Sequence, residues 1–281
     1  MDQKKLNIIE TSIKLFAKKG FSSTSVQEIA KAANISKGAF YLHFDTKDDL
    51  LYELFEHYWR RMQKRINEVS STPMTPKEKF IHQLKVSMEE VADHREFIIM
   101  QIREQVIPFN DMIENLIRRM RYHSVMFYRN HILAIYGSEA EPFAWEASLT
   151  VQSLFKTYID LMIMDNMEFS LLKVAESIAN KMDAVMEGYK SGHDCPVITN
   201  EVISRVIPEN FQLNQMKDIM TQLQEIYDQE NDVDLKDTAD LLLQELTSKA
   251  PRPAVIKGMV FNLERYDEYI DLSSQIRAHY M

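Results

Sequence analysis

One cysteine, Cys195, is all this 281-residue chain contains, which excludes an intrachain disulfide framework and suits a reducing compartment. Glycine and proline are nearly as scarce, at six and eight, while Leu, Met, Glu, Lys, Gln and Ala recur throughout. Few helix breakers among many helix formers predict an all-α protein. Long apolar runs are missing too. No stretch approaches the roughly 18 residues of a membrane span, and the polar opening Met-Asp-Gln-Lys-Lys is unlike a signal peptide. The expectation is a soluble, cytoplasmic protein with no membrane partner.

Catalytic signatures are absent as well. There is no phosphate-binding loop, no Ser-His-Asp order and no flavin fingerprint, which argues against an enzyme and against a bound cofactor. His123 and His131 lie eight residues apart and can share a helix face, yet no third ligand follows at metal-site spacing. His193, Asp194 and Cys195 have no partner thiol and sit between Gly188 and Pro196, in a boundary segment. No metal is expected.

What is present is a chain that is 45% hydrophobic, enough for a sizeable core in one large domain or two to three modest ones. Its formal net charge of -9 argues against nucleic acid, which proteins bind largely by setting Lys and Arg against phosphates. The distribution reverses that impression. Residues 1–65 carry 12 Lys or Arg against 8 Asp or Glu, whereas the remainder carries 21 against 34. A basic head is joined to an acidic body.

Leu6, Ile9, Ile13, Phe16 and Ala17 recur at helical spacing, and Gly20 after Lys18 and Lys19 ends that helix. A second helix opens at Ser23, Thr24 or Ser25, with Glu28 completing a capping-box pattern from Ser25, and runs to about Ala32. Asn34 tolerates left-handed backbone, Ile35 anchors the turn and Ser36 can cap a short third helix, so residues 25–44 form a helix-turn-helix. Thr46 caps a fourth helix, which Leu50, Leu51, Leu54, Phe55, Tyr58 and Trp59 carry to about Val69, too far for a small head. After a polar break at 70–76, Phe80, Leu84, Met88 and Val91 mark another helix, and more follow at about 94–106, 110–136, 142–165 and 169–190. Beyond the boundary near 188–196, helices are expected through 213–227, around 241–246, and as one last piece from 256 to about 279. The chain then divides into a head at 1–48, a body at 49–190 and a C-terminal extension at 191–281.

The stretch FSSTSVQEIAKAANISKGAFYLHFDTKDDLL, residues 21–51, resembles the DNA-binding head of the TetR family of bacterial transcriptional regulators. The likeness covers roughly residues 5–55, from the first helix ending at Lys19-Gly20 to Phe44 before Lys47. It implies that the third helix enters the major groove. Lys37 is then the best base reader, donating to guanine O6 or N7, while Gly38 and Ala39 let the backbone come close and the Ala39 methyl can meet a thymine methyl. Tyr41 and His43 suit phosphate oxygens or neighbouring bases, and Phe40 and Phe44 face the head's own core. Ser25 and Lys47, each at a helix N-terminus, look like phosphate clamps; alternatively Ser25 merely caps its helix and Lys47 is a solvated charge.

For the body, the resemblance implies an effector pocket and a two-fold dimer made by helices 142–165 and 169–190. Leu149, Leu154, Phe155, Tyr158, Leu161 and Met162 on the first, and Leu172, Val174, Ala175, Ile178, Met182 and Val185 on the second, supply apolar surface for a four-helix interface or for the body's own core. Trp59, Met62, Phe97, Met100, Phe109, Met126, Phe127 and Trp145 lie on helices that line the family's cavity, which favours a hydrophobic or amphipathic effector; the plainer reading is core. Glu104 can meet a cationic ligand, pair with Arg103 or Arg118, or face water. The expected protein is a homodimeric repressor released from a palindromic DNA operator by a small molecule, with control by a protein partner through the extension as the alternative.

Overall fold

The computed structural model describes residues 3–70, 72–103, 111–199, 201–203, 209–248, 250–266 and 269–280, and among them every regular element is helical. Four helices build the head: α1 (Gln3–Lys19), α2 (Val26–Ala32), α3 (Lys37–Tyr41) and the start of α4 (Lys47–Ser70). Their ends are set by local chemistry. Gly20 takes φ +88 and its N–H returns to the Phe16 carbonyl at 2.8 Å, closing α1. Ser25 and Glu28 exchange both capping-box hydrogen bonds at the start of α2. Asn34, at φ +57, turns the chain toward Ser36, whose Oγ accepts from the Ala39 N–H at 3.0 Å. Thr46 and Asp49 repeat the reciprocal arrangement at α4, each donating its N–H to the other's side chain.

The body follows with α5 (Pro76–Asp93), α6 (Arg95–Arg103), α7 (Asp111–Tyr136), α8 (Ala144–Ile163) and α9 (Leu171–Lys190). Its core joins Phe80, Leu84 and Met88 of α5 to Tyr128 and Ile132 of α7, Val151 and Ile159 of α8, and Ala175, Ile178 and Met182 of α9. The head's core does not stop at α4. Ile8, Phe16, Ile29, Phe40, Leu50 and Leu54 pack in one continuous cluster with Phe97 and Met100 of α6 and Ile113 and Leu116 of α7, so the inner edge of the body is part of the head's foundation.

The extension comprises α10 (Glu209–Gln229), α11 (Val233–Thr247), α12 (Pro253–Leu263) and α13 (Ile270–Tyr280). The single last helix expected over 256–279 is in fact two. Residues 264–266 form successive turns, and Tyr266 and Tyr269 reach back so that their hydroxyls donate to Asp232 (2.7 Å) and Glu230 (2.6 Å). The break lets Ile256, Val260 and Leu263 on one side, and Leu272 and Ile276 on the other, enter the same core with Ile219, Leu223 and Leu242. One straight helix of that length projects past so small a core.

Candidate DNA-binding head and effector cavity

In the head, the helix-turn-helix presents Lys37, Gly38 and Tyr41 outward, with Tyr41 45% exposed, while Phe40 and Phe44 are buried beneath them. Ala39 and His43 are half-buried. Lys37 Nζ lies 5.9 Å from the centre of the Tyr41 ring. Gly38 has an ordinary helical backbone, and a Cβ built there meets only Ser36 Oγ, at 3.8 Å. The fold itself does not require glycine at this position. Leu42, which sequence reasoning passed over, is 84% exposed at the end of α3.

Ser25 and Lys47 are both engaged within the head. Ser25 Oγ accepts from the Glu28 N–H and donates to its carboxylate, and the hydrogen bond from Lys19, followed by those from Ser25, holds the Glu28 pKa at about 2. Lys47 is not a solvated charge. Its Nζ donates to the Phe21 (2.9 Å) and Thr24 (3.0 Å) carbonyls and stands 4.3 Å over the Phe21 ring, tying the loop before α2 to the start of α4.

A cavity of about 750 Å³ lies in the body, walled by α4, α5, α6, α7 and α8 and by α12 and α13 of the extension. Of the residues expected there, Trp59, Met62, Phe97 and Phe127 line it. Three others do not, for reasons of packing. Met100 is fully buried in the head's core, and Met126 and Trp145 form a separate cluster with Tyr122, covered by Ile198 and Ile203 of the segment leaving the body. That segment is pinned by Glu146, which accepts from the Val197 and Ile198 N–H groups, and the Arg129 guanidinium stacks 4.6 Å over Trp145. Glu104 and Phe109 lie outside the described residues.

Polar groups in the wall are closely matched. Gln83 donates to the Ile66 carbonyl (2.8 Å) and Ser70 Oγ (2.7 Å), and its Oε1 stands 2.6 Å from His131 Nε2. Burial, then the nearby Lys79 charge, lowers the His131 pKa to about 4, so the ring is neutral at pH 7. Burial works against ionisation of Glu90, but hydrogen bonds from His94, Arg61 and Arg65 overcome it and bring its pKa to about 2. Arg61 Nε and Arg65 approach the Glu90 carboxylate to 2.8 and 3.2 Å. None of Gln83, Glu90, Lys79, His131, Lys257 or Arg277 stood among the sequence candidates for this cavity, because helical spacing marks buried faces without showing which one meets empty space.

A short outward-facing helix behind a capped turn, carried on a helical body, defines a DNA-binding transcriptional regulator of the helix-turn-helix class. The family model for bacterial regulatory proteins of the tetR family matches residues 8–54. The HTH-type transcriptional regulator YuxN of Bacillus subtilis is 31% identical over 284 residues, covering 99% of this chain and 97% of its own. YerO from the same organism is 31% identical over 271 residues, covering 94% and 90%. The crystal structure of FadR from Bacillus subtilis in complex with stearoyl-CoA shares the fold, with a TM-score of 0.54 and 18% identity over 63% of this chain and 96% of that one. The chain belongs to the TetR family. Like its relatives it is a regulator of transcription and not an enzyme.

Proposed function

We propose that the protein is a homodimeric repressor whose two heads hold a palindromic operator and release it when a hydrophobic or amphipathic molecule occupies the cavity. The observation that carries this reading is α4. It begins at Lys47 inside the head and supplies Tyr58, Trp59, Met62, Gln63, Ile66, Asn67 and Ser70 to the cavity wall, so one uninterrupted helix touches both sites. A ligand that fits only one tilt of α4 shifts the population of head positions by its differential affinity. The volume falls within the usual range for small-molecule sites. The stearoyl-CoA bound by FadR, on the same fold, is an amphipath.

Lys37 and Ala39 are assigned to reading bases, with Gly38 letting the backbone of α3 come close to the base edges. Ser25, Tyr41 and Lys47 are assigned to phosphate, and His43 to phosphate or a neighbouring base. Residues 1–48 act as head, 49–190 as sensor and dimer body, and 191–281 as extension, and a cytoplasmic location accords with the role. In α9, Ala175, Ile178 and Met182 turn into the body's own core, whereas Leu172 is 38% exposed and Met164, just after α8, is 55% exposed, leaving apolar surface for a second copy. Because α12 and α13 close the cavity, the extension supports the small-molecule route over a docked protein partner.

The test is direct. DNA selected from random sequence by the purified protein should be palindromic, bind two protomers, and be released at least tenfold more weakly held when amphipaths such as dodecanoate or dodecyl maltoside are added. A monomer on an asymmetric site, or affinity indifferent to every amphipath, overturns the reading.

A further inference from the structure

The charges around the cavity do not balance. Glu90 is the one carboxylate among the described lining residues, and Arg61 and Arg65 already match it. Arg277 of α13 is matched in turn by Glu264, with Nε 2.6 Å from Oε1 and a second nitrogen 2.9 Å from Oε2. His131 is neutral at pH 7. Two ammonium groups are left over. Lys79 of α5 donates to the Ser70 carbonyl at 2.7 Å, and Lys257 of α12 is exposed; neither forms an ion pair with a described residue. They stand on a chain whose net charge is -9 and whose body is the acidic part. The same wall carries the apolar side chains of Trp59, Met62, Phe97, Phe127 and Phe155.

We propose that the cavity takes an amphipathic anion, an apolar chain ending in a carboxylate or phosphate group, and that Lys257 of the extension, together with Lys79, receives the charged end. This rests on the effector reading above. An anionic head placed against an ammonium keeps a charge-assisted partner as it leaves water, whereas a cationic head meets like charge and loses its hydration without return. The extension is then more than added bulk: α12 and α13 complete the wall, and through Lys257 they select what enters. Because Lys257 is exposed, its share is screened by salt.

Four ligands with one twelve-carbon chain separate the possibilities: dodecanoate, dodecyl phosphate, dodecyl maltoside and dodecyltrimethylammonium, each below its micelle-forming concentration. Trp59 lies in the wall and Trp145 outside it, so emission of the full-length Trp145→Phe protein reports occupancy, and calorimetry on the unmodified protein makes the same comparison without a substitution. The anions are expected to bind at least tenfold more tightly than the cation, with an advantage that shrinks in high salt. Lys257→Glu should weaken the anions about tenfold and leave the maltoside unchanged. Lys79→Gln should weaken them several-fold, and Lys236→Glu on α11, away from the cavity, should not. Comparing dodecanoate with dodecyl phosphate tells carboxylate from phosphate. Equal affinity for anion and cation, or anion affinity untouched by both Lys257→Glu and Lys79→Gln, overturns the proposal. If the maltoside binds and releases DNA while head charge makes no difference, the effector reading survives and this one does not; if no amphipath binds, both fall.

Discussion

Tyr58 and Phe97 stack nearly parallel, ring centroids 4.6 Å apart and planes at 21°, and each belongs at once to the cavity wall and to the head's apolar core. Phe97 also meets Phe55 edge-on at 5.3 Å. A molecule pressing on the wall therefore pushes on one apolar cluster that also holds Leu54 and Leu50.

Phe97→Leu keeps that position apolar but removes the stacked pair. It should lower stability by about 1 to 2 kcal/mol, leave operator affinity within a few-fold of wild type, and blunt the release that an amphipath causes. Thermal melts and anisotropy titrations with and without dodecanoate check the three parts. Full release in this variant would place the connection elsewhere.

Gly38→Ala separates folding from DNA binding. Since nothing in the head crowds a Cβ there, the substitution should raise stability by about 0.5 to 1 kcal/mol through the unfolded state, yet weaken operator binding because the added methyl faces the groove. Leu42→Ala, by contrast, is expected to leave the melting temperature unchanged, since Leu42 is 84% exposed. A loss of stability in Gly38→Ala with unchanged affinity is the contrary result.

Lys37→Ala and Lys47→Met should differ in kind. Loss of a base reader costs about 1 to 3 kcal/mol of discrimination at one base pair, so Lys37→Ala relaxes the selected sequence. Loss of a phosphate contact weakens all sequences alike and lowers the salt slope by about one per protomer. Lys47→Met should also lower the melting temperature, since the Phe21 and Thr24 carbonyls lose their donor.

Acid should weaken the fold in a window set by histidine. His131, through burial and then Lys79, and His57, through burial and then Arg61, both have pKa values of about 4 in the folded chain. Unfolded, each takes a proton near 6.5. As pH falls below 6.5 the unfolded state binds protons that the folded state refuses, and stability declines until about pH 4, by at most about 1.4 kcal/mol per pH unit per histidine. Glu90 adds its own loss only below pH 4.5. Melting temperatures from pH 8 to 4.5 should be flat above 7 and then fall, less steeply in His131→Gln, which retains a donor toward Gln83.

The head was legible because its signals are local. Ser25 with Glu28, Ser36, Thr46 and the left-handed Asn34 each act within three or four residues, and the structure uses all of them. The cavity was half legible. The resemblance to the family points to Trp59, Met62, Phe97 and Phe127 as cavity residues, but it points to Met100, Met126 and Trp145 equally well, and only the packing of α6 on the head and of Ile198 and Ile203 on α7 and α8 separates the two sets. The share of the extension was not legible, because Lys257 and Arg277 reach the cavity through tertiary contacts with helices more than a hundred residues earlier. The break after Leu263 escaped notice for the same reason: no glycine or proline marks it, and the hydroxyls of Tyr266 and Tyr269 find their acceptors over thirty residues away.

The 24 residues of α4 include neither glycine nor proline, so the helix has no built-in hinge along a span of about 36 Å. On the proposed mechanism it works as a lever with its fulcrum near Leu54, a residue of the head's core. A tilt of about 5° displaces one end relative to the other by roughly 3 Å, close to the step between adjacent base pairs. Two such levers in a dimer can slip their recognition helices out of phase with successive turns of the duplex while every hydrogen bond in both heads stays intact.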